Sequence, residues 1–162
     1  MEAMFLVAAL GAAGLLIFAV LRRVLGRGRK PGPELILDGS NVMHWREGGP
    51  SLDTVREAVD HLTAKGFTVG VIFDANAGYK LSGRYRDDDW FAAKLRLPGS
   101  RVVVVPRGTP ADATILRAAR DRGARIVTND RFRDWADAHP EVTRPGHLVR
   151  GRYRAGRLQF DT

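Results

Sequence analysis

The chain lacks cysteine altogether across its 162 residues. Disulfides, thiolate nucleophiles and cysteine-built zinc sites are therefore excluded, and a reducing compartment is permitted. Histidine is scarce and unclustered, with four in the chain. No internal repeat is visible, so a solenoid is not expected. Charge is missing from one long stretch, with no Asp, Glu, Lys or Arg between Ala3 and Leu21.

That uncharged stretch is rich in Ala, Leu, Val, Ile and Phe, and about 20 apolar residues suffice for a helix to cross a bilayer. Arg22, Arg23, Arg27, Arg29 and Lys30 follow it, and only Glu2 precedes it. A cleaved signal peptide has its positive charges first, so this order fits a signal anchor. The positive-inside rule then puts the C-terminal side in the cytoplasm. The expectation is a single-pass cell-membrane protein with three parts: an anchor over 1–25, a basic linker over 26–33 ("GRGRKPGP"), and a domain over 34–162. Small residues at Ala8/Ala12 and Ala9/Ala13 allow two anchors to pack closely, so a homodimer is one expected arrangement.

What remains is one domain of ordinary size. Apolar residues make up 44% and charged residues 27%, which is a globular composition. The net charge is +8, but five positive charges and one negative fall in residues 1–33. The domain is thus only mildly basic, and its charge alone does not argue for nucleic acid.

From Glu34 strands and helices alternate. Leu35–Asp38, "TVGVIF" (68–73), "RVVVVP" (101–106) and "ARIVT" (124–128) are short, apolar and β-rich. A helix is expected from Ser51 to about Lys65, with Leu52, Val55, Val59 and Leu62 on one face. Another is expected around Asp89–Leu95, one opening at Thr109-Pro110 and running to Arg122, and one from Asn129-Asp130 through Trp135. Residues 75–90 ("ANAGYKLSGRYRDDDW") read as a polar, aromatic loop, and the tail as one or two short strands around Ala155-Gly156. The fold class is therefore α/β, a three-layer α/β/α domain with a mainly parallel sheet, preceded by one transmembrane helix.

Acids stand where such sheets bind ligands, beyond the carboxyl ends of the strands. Asp38, Asp74 and Asp130 directly follow apolar strands. Asp112 is expected in the first turn of the next helix, and Asp134 one helical turn beyond Asp130. Each alone has an ordinary explanation: an Asx turn at Asp38, a capping box between Thr109 and Asp112, an N-cap at Asp130, a surface ion pair at Asp134. Together they crowd carboxylates and call for a cation. Oxygen ligands without cysteine or clustered histidine suit Mg²⁺ or Mn²⁺ rather than Zn²⁺.

"LILDGSNVMHW", "VVVVPRGTPADATILRAA" and "GARIVTNDRFRDW" occur in that order. They resemble the three acidic motifs of the NYN, or Zc3h12a-like (Regnase-type), ribonucleases of the PIN-like nuclease superfamily, over about residues 35–135. The resemblance implies a PIN-like fold and metal-dependent cleavage of RNA, single-stranded or structured. It implies Asp38 and Asn41 in the first motif, Asp112 in the second, and Asp130 and Asp134 in the third. The four aspartates are the implied metal ligands, and Asp38, Asp112, Asp130 and Asn41 the catalytic set. The family often carries two adjacent acids in its second motif, whereas Asp112 here lies between Ala111 and Ala113.

RNA contacts are expected from Lys80, Arg84, Tyr85 and Arg86, with Tyr79, because basic and aromatic residues interleave there. Arg107, just before a helix, suits a phosphate. Two other readings compete. One is a nuclease-like module that binds RNA or a protein without cutting, which the lone Asp112 favours. The other is a haloacid-dehalogenase-type phosphatase, which needs an acid where Ser40 stands.

Overall fold

The computed structural model describes residues 32–161. The expected anchor over 1–25 and almost all of the linker lie outside those residues, as does the Ala8/Ala12 pairing expected of a homodimer. Among the described residues no helix is long and apolar enough to cross a membrane.

Six strands form one sheet in the order β3-β2-β1-β4-β5-β6. They are β1 (Glu34–Asp38), β2 (Thr68–Phe73), β3 (Val102–Val104), β4 (Arg125–Val127), β5 (Leu148–Arg154) and β6 (Arg157–Asp161). β1 to β5 run parallel, and β6 returns antiparallel to β5. The helices are α1 (Gly39–Val42), α2 (Leu52–Ala64), α3 (Ala77–Ser82), α4 (Asp88–Leu95) and α5 (Ala111–Arg122).

Strand side chains alternate between faces, and the apolar runs fill both. Leu35, Leu37, Val69, Val71 and Phe73 join α2 and α4 in one core. Ile36, Ile72 and Ile126 join Ile115, Leu116 and Ala119 of α5 in the other. The expected three-layer α/β/α sheet is thus present.

Strand order reverses at β1: its successors β2 and β3 lie on one side, β4 on the other. The crevice beyond β1 and β4 is therefore the ligand position this topology favours. Gly39, the first residue there, packs its backbone onto Phe73. A Cβ on it would lie 2.5 Å from Cε1 of that ring. The ring is buried and stacked on Phe91 at 4.0 Å, so it has little room to yield.

Three expectations about elements need correction. Residues 77–82 are helical rather than loop. Gly78 conceals that helix in the sequence, since glycine is a poor helix former. It is required because a Cβ would strike the backbone of Arg84 and Arg86. Second, α5 begins at Ala111, with Pro110 extended just outside it and no side-chain cap from Thr109. Third, no helix runs from Asn129 to Trp135, only a 3-10 turn over Arg133–Trp135. Asp130 Oδ1 accepts from Phe132 N–H at 2.7 Å, and Phe132 takes φ 48°. That local bond competes with helix formation, and burying the Phe132 ring offsets the backbone cost.

Replacing Gly39 by alanine is expected to lower stability by about 1–3 kcal/mol, the usual range for overpacking. Urea unfolding checks it, and an unshifted midpoint would show that the Phe73 ring gives way freely.

Candidate active site

Asp38 is both the tip of a buried strand and the cap of α1. Its Oδ1 accepts from Asn41 N–H at 3.0 Å. Its Oδ2 accepts from the buried Thr128 hydroxyl at 3.0 Å. The same hydroxyl accepts from Asp130 N–H at 3.0 Å, so Thr128 holds both the β1 acid and the loop of the β4 acid. Only 6% of Asp38 is exposed. Burial is the main reason its carboxyl is pushed up to about 6, with the charges of Asp112 and Asp130 adding to it.

Asn41 lines the cleft and joins its two sides. Its Oδ1 accepts from Trp45 Nε1 at 2.7 Å and from Asn129 N–H at 2.9 Å, tying the β1 turn to the β4 turn. Asn129 in turn donates from Nδ2 to the Gly151 carbonyl at 2.8 Å and accepts from Gly151 N–H at 3.2 Å. Ser40 Oγ accepts from Asp74 N–H at 2.8 Å and so positions the β2 tip. Trp45 packs on Phe160 and on the bare Gly151 backbone, which makes it structural.

Asp112 lies in the first turn of α5, half-buried. Its carboxyl is raised, first by burial and then by the Asp130 and Asp74 charges, while the Trp135 indole opposes the rise. Asp38, Asn41, Asp74, Lys80, Ala111 and Asp112 line one open cleft. Asp38, Asp74 and Asp112 thus share the cleft, and Asp130, in the loop after β4, is near enough for its charge to act on Asp38 and Asp112. The helix expected to set Asp134 one turn beyond Asp130 is absent, and Asp134 stands exposed in a 3-10 turn.

The basic and aromatic residues divide. Lys80 lines the cleft. Arg107 places its guanidinium 6.0 Å from the ring centre of Tyr79, a neighbour of Lys80. Arg84 and Tyr85 are exposed in the turn after α3. Arg86 is committed elsewhere: it donates to Ser82 Oγ at 2.9 Å and lies over Trp90 at 4.6 Å.

Among the described residues no three carboxylate or imidazole side chains are gathered tightly enough to hold a metal ion as they stand. The expected spacing of a few ångströms is thus looser than foreseen. The donor chemistry still fits a hard divalent cation. All candidates are carboxylates, and Asp38 and Asp112 each hold a proton more tightly, first because they are buried and then because neighbouring acids add negative charge. Sequence reasoning passed over Thr128, Asn129 and Trp135 as site residues. The first two stand inside the quoted motif "TND", but a hydroxyl or amide there reads as ordinary turn chemistry.

A sheet covered on both faces, with a buried carboxylate at its switch point and further acids on the same edge, defines the class: an α/β/α domain with an acidic cleft. Within it, the chain belongs to the Zc3h12a-like ribonuclease NYN domain family, whose pattern matches residues 33–148. Among solved structures it is similar to the Arabidopsis thaliana nuclear protein-only RNase P 2, at 19% identity and TM-score 0.60. A second structure of nuclear proteinaceous RNase P 2 from A. thaliana matches at 17% identity and TM-score 0.55. Each match covers 99% of this chain but only 36% of the other, and at such identity the likeness speaks to fold. No curated protein matches the chain.

The raised Asp38 carboxyl has a consequence for stability. Its folded value of about 6 exceeds the ordinary 3.8. Between those values the folded state binds more protons than the unfolded one, so stability falls as pH rises from about 4 to 6. The ionised, buried group costs roughly 3 kcal/mol at pH 7, of which about 1 kcal/mol accrues between pH 5 and pH 7. Asp112 acts with the same sign. Urea midpoints in EDTA should thus be higher at pH 5 than at pH 7, and Asp38→Asn should flatten the difference. An equal slope in that variant would remove Asp38 as its source.

Proposed function

We propose that the domain is a metal-dependent ribonuclease that cleaves RNA phosphodiester bonds hydrolytically at the cleft of Asp38 and Asp112. The buried, doubly hydrogen-bonded Asp38 carboxylate carries this reading: such a charge at a strand tip is costly unless a cation is to meet it. Membership of a ribonuclease family supports it.

Asp38, Asp112 and Asp130 are the residues that would hold Mg²⁺ or Mn²⁺. When bound, the cation would neutralise phosphate charge and make a water more acidic. Thr128 and Asn41 keep the acids of two strands at fixed positions. Lys80 on the cleft wall offers a cation to a substrate phosphate, and the Arg107–Tyr79 pair adds a cation beside an aromatic face. Arg84 and Tyr85 remain accessible for an RNA strand, single-stranded or in a structured region. The wide spacing of the acids and the lone acid of the second motif favour one alternative, an RNA-binding module without turnover.

Cleavage of a single-stranded RNA with Mn²⁺, with and without EDTA, is the test. The protein should cut only with the metal, and Asp38→Asn should lower the rate by about a hundredfold or more, as loss of a main electrostatic group does. RNA that is bound but left whole by the parent protein supports the binding module.

We further propose that residues 1–25 tether the domain to the cell membrane, single-pass and facing the cytoplasm, on the linker 26–33. The support is the order of charges around the apolar run. A reporter fused after Thr162 should be active in its cytoplasmic form. Activity only in a form that requires export would reverse the topology.

A further inference from the structure

β5 and β6 form an arm that outreaches the rest of the sheet. β5 pairs with β4 only at Leu148 and Val149, then continues through Arg154. Five further residues at about 3.4 Å each carry the arm roughly 17 Å past its last pairing with β4, the first two of them level with Asn129 and the rest beyond the acids. Ala155 and Gly156, at φ 48° and 71°, close it in a tight two-residue turn. Residues 149–161 lie outside the stretch that matches the family pattern.

The arm has two unlike faces. Gly151, Tyr153, Leu158 and Phe160 look toward Trp45 and the α2 core. On the opposite face Arg150 pairs in register with Asp161, Arg152 with Gln159, and Arg154 with Arg157. That face thus holds four arginines and one acid. Its orientation is fixed at its base, because Arg150 donates to the Asn129 carbonyl at 2.8 Å, one residue before Asp130. Leu148, in the same alternation, packs into the core of α5, the helix of Asp112. The arginine face is therefore on the side of the acidic cleft. Arg152, Arg154 and Arg157 are exposed. The one pair among them, Arg152 with Asp161 at 3.4 Å, has both partners more than half exposed and holds little back.

The geometry points to this arginine face as a rail for the sugar–phosphate backbone of single-stranded RNA, guiding the strand from the arm tip into the cleft. The inference rests on the ribonuclease reading and adds the path of the substrate to it. Guanidinium forks suit phosphate oxygens, and alternate positions on one strand face repeat about every 7 Å along the path. The acidic cleft repels a polyanion on its own, so a basic lead-in on the same edge offsets that repulsion.

The test uses the full chain and the triple variant Arg152→Gln, Arg154→Gln, Arg157→Gln. Fluorescence anisotropy with a 20-nucleotide oligouridylate in EDTA reads binding, and Mn²⁺-dependent cleavage of a dinucleotide reads chemistry too short to reach the arm. The variant should bind the 20-mer about tenfold or more weakly. Its salt dependence, log K against log salt, should be shallower by about 2, because three phosphate contacts are lost. Dinucleotide cleavage should stay at the parent rate. A 20-mer affinity and salt slope equal to the parent's would overturn the rail while leaving the ribonuclease reading intact. Loss of binding to phosphatidylserine vesicles with RNA affinity retained would also overturn it, making the arm a lipid contact. A parent that neither binds the 20-mer nor cuts the dinucleotide would refute both readings together.

Discussion

A carboxylate buried at the end of a parallel strand is the constraint around which this domain is arranged. Asp38 has water on almost no side, and its two oxygens accept from a backbone amide and a hydroxyl. Those bonds favour the charged form, yet desolvation and two neighbouring acids outweigh them. The folded protein therefore holds an electrostatic debt at the switch point of its sheet. The surrounding turns keep that charge in one place: Thr128 reaches across from β4, Asn41 joins the two turns, and Ser40 fixes the adjoining tip of β2.

The hydrogen bonds also explain why the acids are displaced from one another rather than packed together. Asp130 spends one oxygen on Phe132 N–H, and Asp74 one on Asn76 N–H. Each acid is anchored by its own loop, and the loops are anchored to different strands. An arrangement of this kind spreads like charges over an open cleft, which lowers their mutual repulsion in the absence of a cation.

The sheet and its two cores were readable from the chain because short apolar runs and helical periods are strong, local signals. Leu35–Leu37 and the α2 stripe of Val55, Val59 and Leu62 lie where pattern alone put them. The carboxyl-edge position of Asp38, Asp74, Asp112 and Asp130 was readable for the same reason, since a strand end is a topological fact. What escaped was set by single contacts. Gly78 hid a short helix that exists because two backbones approach it closely. Asp130 and Phe132 turned a helix-like stretch into a loop through one side-chain bond and one buried ring. The helical spacing expected between Asp130 and Asp134 was lost as a direct result. The supporting roles of Thr128 and Asn129 depend on partners 90 and 88 residues away in the chain, which no local pattern reports.

The pair of hydrogen bonds between Asn129 and Gly151 bears on how the domain is made. A ribosome delivers β1 to β4, with every acid of the cleft, before it delivers the hairpin. Hairpins with two-residue turns close within microseconds, far faster than residues are added. Yet the clamps on Asn129 come from Arg150 and Gly151, and the seat of the Trp45 indole is the bare backbone of Gly151. The acidic edge thus gains its final restraint only when β5 arrives and docks beside β4. Before that, the β4 loop has its bonds to Asn41 and within Thr128–Phe132 but none of those from the hairpin, so the completed edge depends on β5.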